Sequence, residues 1–112
     1  MKIPESLKRN FIHGWVNDAQ EVITDFTGYK EVQVRKADPE MIDAQPNCCI
    51  DNSILLAEYG DLDVVQGYII SIDENLPIGI FHYWNYCPET NIYWDSTPIN
   101  AKIKYLIKEA QE

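Results

Sequence analysis

Between residues 63 and 97 the chain has room for little except strands and tight turns. Asp63 to Ser71, Ile78 to Asn85 and Asn91 to Thr97 are each rich in Val, Ile, Tyr and Trp, and Pro, Gly or Asn turn signals separate them. Such side chains fill a pleated, half-buried surface, so the three segments read as an antiparallel meander. Glu31-Val32-Gln33-Val34-Arg35 alternates apolar with polar and adds a short strand.

Helical spacing flanks this sheet. Leu7, Phe11, Trp15, Val22 and Phe26 recur at intervals of four and seven, with Ala19 between, which predicts an amphipathic helix over 5–26 ended by Thr27-Gly28. After a loop from Asp38 to Pro46, Ile50, Ser53, Ile54 and Ala57 mark one stripe of a helix from Cys49 to Tyr59, closed by Gly60. The tail from Ala101 to Ala110 mixes basic and apolar residues and is expected to form a closing helix with Tyr105 and Leu106 inward. At 112 residues and 46% hydrophobic content, residues 1–112 suit one domain with one core.

Nine basic residues against eighteen acidic ones leave a net charge of -9. That balance argues against nucleic-acid phosphates or an anionic membrane as partner and favours a neutral or basic one. There is no apolar run of membrane-spanning length, and Met1-Lys2-Ile3-Pro4-Glu5 lacks the pattern of a signal peptide, so a cytoplasmic location is expected. Cys48, Cys49 and Cys87 make an odd number and read as free thiols. A zinc site from Cys48 or Cys49 with His82 and Cys87 lacks the usual gap between paired ligands, and neither metal nor other cofactor is expected.

Taken singly, Cys49 reads as a buried core thiol, His82 as a strand histidine and Asp95 as the start of a turn. Taken in order they supply a nucleophile, a base and a group to orient the base. Cys49 opens a helix, where unpaired amides and the helix dipole favour a thiolate and can hold an oxyanion; Gln45, or its rival Asn47, could add a side-chain donor. A four-residue loop Cys87-Pro88-Glu89-Thr90 would set Tyr86 against Asn91 and therefore His82 directly against Asp95, about 5 Å apart on one face. Trp84 and Tyr93 share that face, and with Asn85 they are candidates for contacting a substrate. Phe81, Tyr83 and Trp94 point the other way.

Cys49-Ile50-Asp51-Asn52-Ser53, Val65-Gln66-Gly67-Tyr68, His82-Tyr83-Trp84-Asn85 and Tyr93-Trp94-Asp95-Ser96-Thr97 together resemble motifs of the papain-like cysteine hydrolase superfamily, including its transglutaminase-like and NlpC-type branches. The likeness covers roughly residues 45–98 and departs at Ile50, where those families carry a small or hydrogen-bonding residue. It implies an α+β fold, papain-like in miniature: an N-terminal helix, a central helix carrying Cys49, a three- to four-stranded antiparallel sheet and a C-terminal helix. It also implies a thiol-dependent hydrolase or acyltransferase acting on an amide, peptide or thioester, with Cys49 attacking, His82 as base and Asp95 orienting it. The alternative is a catalytically silent papain-like domain that binds a basic protein as an adaptor or inhibitor.

Overall fold

The computed structural model describes residues 20–46, 48–72, 77–99 and 101–108. Along the chain these form β1 (Val22–Ile23), β2 (Tyr29–Val32), β3 (Val34–Lys36), a 3-10 turn (Pro39–Met41), α1 (Cys49–Gly60), β4 (Asp63–Ser71), β5 (Gly79–Cys87), β6 (Ile92–Asp95) and β7 (Ile103–Lys108). The described part is mostly β with a single α-helix.

The strands form one mixed sheet in the order β2-β7-β4-β5-β6-β3, with β1 added beside β5. Every pairing is antiparallel except β3 with β6. β2 and β3 stand at opposite ends of this order although Gln33 alone separates them. One extended segment thus supplies both ends, and the sheet must curl around to meet it. Val32 and Val34, on either side of Gln33, accordingly pack against the same interior cluster of Val65, Trp84, Tyr105 and Ile107.

Side-chain alternation divides the two faces. Trp84 and Val65 are fully buried inside the curl, with the Trp84 indole edge-on to Tyr105 at 5.1 Å. Gly67 makes room for that indole: a Cβ there would collide with the Trp84 ring and the Leu106 carbonyl. On the outer face, Ala57 of α1 packs on Val64 with Ile54 and Tyr83, while Tyr68 and Leu106 gather Ile23, Phe26 and Phe81. The helix closes when Asp61 takes the left-handed conformation at φ 54° and Leu62 N–H reaches the Ala57 carbonyl at 3.1 Å.

These observations correct the expected papain-like α+β miniature. The expected C-terminal helix is strand β7, inserted between β2 and β4, and burial of Tyr105, Leu106 and Ile107 there outweighs helix propensity. The alternation Lys102-Ile103-Lys104-Tyr105 has the two-residue period of a strand. Most of the expected N-terminal helix, residues 5–19, lies outside the described residues, but Val22 and Ile23 at its end pair with Ile80 and Gly79 as a strand. The helix at Cys49 and the β4-β5-β6 meander match their expected positions.

Candidate active site

Three elements converge on His82. β5 carries the imidazole, β6 ends at Asp95, and the first residue of α1 is Cys49. His82 Nε2 lies 2.9 Å from Asp95 Oδ2, with both residues buried. An ionised carboxylate only accepts, so Nε2 carries the proton. The other ring nitrogen, Nδ1, is then the one available to the Cys49 thiol, which lies near enough to the imidazole for each group to shift the other's ionisation.

The hairpin register differs from the expected one by two residues. Tyr86 pairs with Tyr93 and Asn85 with Trp94, which sets Trp84, not His82, opposite Asp95. A shift of two preserves the face whereas a shift of one would not, so His82 reaches Asp95 diagonally. The loop keeps four residues but moves one position along the chain, to Pro88–Asn91, because Asn91, with a φ of 61° and an N–H bond to the Cys87 carbonyl at 2.8 Å, belongs to the turn instead of the strand.

Where β5 passes between the ends of β1 and β6, the Tyr83 amide lies beside the Cys49 sulfur and favours its anionic form. This seats the thiol against the sheet. Asn52 braces the loop before it: Oδ1 accepts from Gln45 N–H at 3.1 Å, and Nδ2 donates to the Gln45 carbonyl at 2.8 Å and to Thr97 Oγ1 at 3.0 Å. The loop ahead of Cys49 is thus tied to the segment after Asp95. The first helical bond runs from Asn52 N–H to the Cys48 carbonyl, and no side chain caps the helix, so the amides of Cys49, Ile50 and Asp51 have no intrahelical acceptor.

Burial pushes the Cys49 thiol up, but the hydrogen bond and positive charge of His82 and the Tyr83 amide outweigh it, and the net displacement is downward. Burial opposes charging His82, yet bonds to Asp95 and Cys49 raise it to about 9. For Asp95 burial favours the neutral acid, while donors from His82, Tyr105 and Thr97 prevail and hold it below the usual carboxylate range. The three shifts have one sense: each favours the charged form of its group, thiolate, imidazolium and carboxylate.

Asp95 also starts a turn. Its Oδ1 accepts from Thr97 N–H at 2.9 Å, leaving Oδ2 for His82 and for the Tyr105 hydroxyl at 2.6 Å. One oxygen thus holds the turn and the other meets the imidazole. Tyr105 was not foreseen here because it was placed on a helix; read with period two, the tail would have sent it into the sheet interior. The Gln45 side chain, expected near the thiol, instead donates to the Asp43 carbonyl at 3.1 Å and its carboxylate at 3.3 Å, and Asn47 lies outside the described residues.

The expected substrate contacts divide. Trp84 is buried in the curl and stacks on His82 at 5.9 Å, so it shields the imidazole. Asn85 is equally buried, its Nδ2 donating to the Ser53 carbonyl at 2.8 Å and the Asp63 carbonyl at 3.2 Å, which fastens α1 to β5. Neither suits ligand contact, because an exposed face is what such contact requires. Tyr93 is half-buried against Tyr86 at 4.7 Å, and burial together with Tyr86 pushes its phenol up to about 12.

A cleft of about 490 Å³ opens on the Asp95 side, between Lys36, Pro39, Pro46, Thr97 and Ile99; the thiol is not part of its wall. Among the described residues no group of three His, Cys, Asp or Glu is arranged to hold a metal ion, all three cysteines are free, and no helix is long and apolar enough to cross a membrane. Compared with known proteins, the chain matches no family model, no curated protein and no solved structure.

Proposed function

We propose that the protein is a thiol-dependent hydrolase or acyltransferase acting on an amide, peptide or thioester, using the chemistry of papain-like cysteine hydrolases on a different sheet architecture. The observation that carries this reading is the buried His82–Asp95 hydrogen bond at 2.9 Å, with the Cys49 thiol brought to the same imidazole by the first turn of α1. Packing alone gives no reason to bury a histidine, a carboxylate and a lowered thiol in sequence.

The Cys49 thiolate attacks the acyl carbon, forming a C–S bond and an oxyanion that amides of the first turn of α1 can receive. Collapse breaks the bond to the leaving group, which takes the Nδ1 proton of His82. The thioester is then attacked by water, or by another nucleophile in an acyl transfer, whose proton returns to His82 as the Cys49 thiolate is released. Asp95 remains ionised and keeps Nδ1 directed at the sulfur. A reducing, cytoplasmic setting suits a catalytic free thiol.

A second reading, a silent protein-binding domain, draws on Val22, Ile72, Ile78 and Ile80, which are about half exposed around β1 and the β4–β5 hairpin. The two readings part on thiol reactivity. An activated Cys49 should react with iodoacetamide near neutral pH far faster than Cys48 or Cys87; equal, slow labelling of all three would reject the enzyme.

A further inference from the structure

The oxygen of Asp95 that meets His82 is shared. Tyr105 Oη donates to the same Oδ2 at 2.6 Å, and Lys36 Nζ in turn donates to Tyr105 Oη at 3.0 Å, lying 5.5 Å from the centre of its ring. The sheet builds this alignment. β3 runs parallel to β6 with Lys36 in register with Asp95, the next residue's amide, Ala37 N–H, donates to the Asp95 carbonyl at 2.9 Å, and β7 brings Tyr105 up from the interior.

We propose that Tyr105 and Lys36 form a donor chain behind Asp95 that limits how tightly the carboxylate holds the His82 proton, which makes them positioning residues for the thiol chemistry; this rests on the triad reading above. A carboxylate oxygen divided between two donors gives less of its charge to either one. The Lys36 ammonium polarises the Tyr105 hydroxyl and so strengthens its claim on Oδ2. Burial, reinforced by the Asp95 charge, pushes the phenol well up, so Tyr105 remains a donor throughout the working range of pH. Packing does not account for the chain. A phenylalanine would fill the same space against Trp84, and Lys36 is an exposed residue free to remain in water.

The chemical need is a compromise. An imidazolium that is too basic stabilises the thiolate but delivers its proton slowly to the leaving group, so the best general acid titrates close to the operating pH. Among the described residues, the groups facing His82 are Cys49 from α1, Asp95 from β6, Tyr105 from β7 at 6.2 Å between ring centres and Trp84 on its own strand. Across β4 its partner is Gly67, which offers no side chain. The Tyr83 phenol, coupled to the Cys49 charge, bonds Gln66 on the opposite face. Apart from burial, Tyr105, with Lys36 behind it, is what opposes the hold of Asp95.

The test is the titration midpoint of the His82 imidazole, followed by NMR in a His13→Gln background so that His82 gives the single histidine signal. Tyr105→Phe keeps the ring and should raise the midpoint by roughly 0.5 to 1 pH unit, as loss of one neighbouring donor does, with a smaller rise in Lys36→Met. A midpoint that is unchanged or lower in Tyr105→Phe overturns the proposal. Should that variant fail to fold, the exposed Lys36→Met decides, and an unchanged midpoint there overturns it equally. Iodoacetamide labelling of the wild-type protein separates the two claims: a midpoint that shifts while Cys49 labels no faster than Cys87 refutes the triad reading and leaves the donor chain standing.

Discussion

Asp95→Asn should convert Cys49 from an activated thiol to an ordinary one without emptying the core. The carboxylate accepts from His82 Nε2 at 2.9 Å, from Tyr105 at 2.6 Å and from Thr97 N–H at 2.9 Å. Asn keeps the size but presents one acceptor oxygen. With that oxygen retained by Thr97, an NH2 group faces His82, and the ring must take the tautomer that turns its N–H toward the sulfur. A fall of His82 from about 9 to its ordinary 6.5 removes roughly 3 kcal/mol of imidazolium stabilisation. The thiol then loses its cationic partner, and burial is left to push it up. Iodoacetamide labelling in a Cys48→Ser, Cys87→Ser background should therefore slow at about pH 7 toward the rate of an ordinary thiol, and the deficit should close in strongly alkaline solution, where any thiol ionises. An Asp95→Asn protein whose labelling follows the wild-type pH profile would refute the reasoning, since Asp95 would then not govern the pair.

Cys49→Ala should abolish any turnover while melting within a few degrees of wild type, because the thiol is half-buried and supplies little of the core; collapse of the fold in circular dichroism would mark it as a packing residue. Gly67→Ala should destabilise by about 1–3 kcal/mol or more in urea unfolding, since its Cβ meets the Leu106 carbonyl, which cannot move without disturbing the β4–β7 pairing. Stability should plateau between two limbs. His82 is raised in the folded state, so its contribution is complete below about 6.5 and is lost as pH rises through about 9. Asp95 is lowered, so its contribution is present above about 3.9 and is lost as pH falls further. Urea midpoints across pH check both limbs, and a wild-type alkaline limb that persists in His82→Gln would assign it elsewhere.

The helix start at Cys49 and the β4-β5-β6 meander were legible from local periodicity and turn residues, because their partners lie next along the chain. So was the shared face of His82 and Asp95, which depends only on the two-residue period of strands and survives a register error of two. The pairing itself was not legible: whether Asn91 joins the strand or the turn depends on a backbone conformation that Asn tolerates in either place. Closure of the sheet lay further out of reach. β2 meets β7 across 73 to 79 positions of sequence, as Val32 with Tyr105 and Tyr29 with Lys108, and β3 meets β6 across 59, as Val34 with Tyr93; no local pattern encodes which strands meet. That closure decides the tail as well, since Tyr105, Leu106 and Ile107 become a strand only because β2 and β4 stand open on either side to receive it. Local pattern was enough to put His82 and Asp95 on one sheet face and Cys49 at a helix start. The tertiary structure alone decided that Tyr105 and Lys36 stand behind Asp95, because long-range hydrogen bonding and burial, not neighbours in the chain, bring β3 and β7 to it.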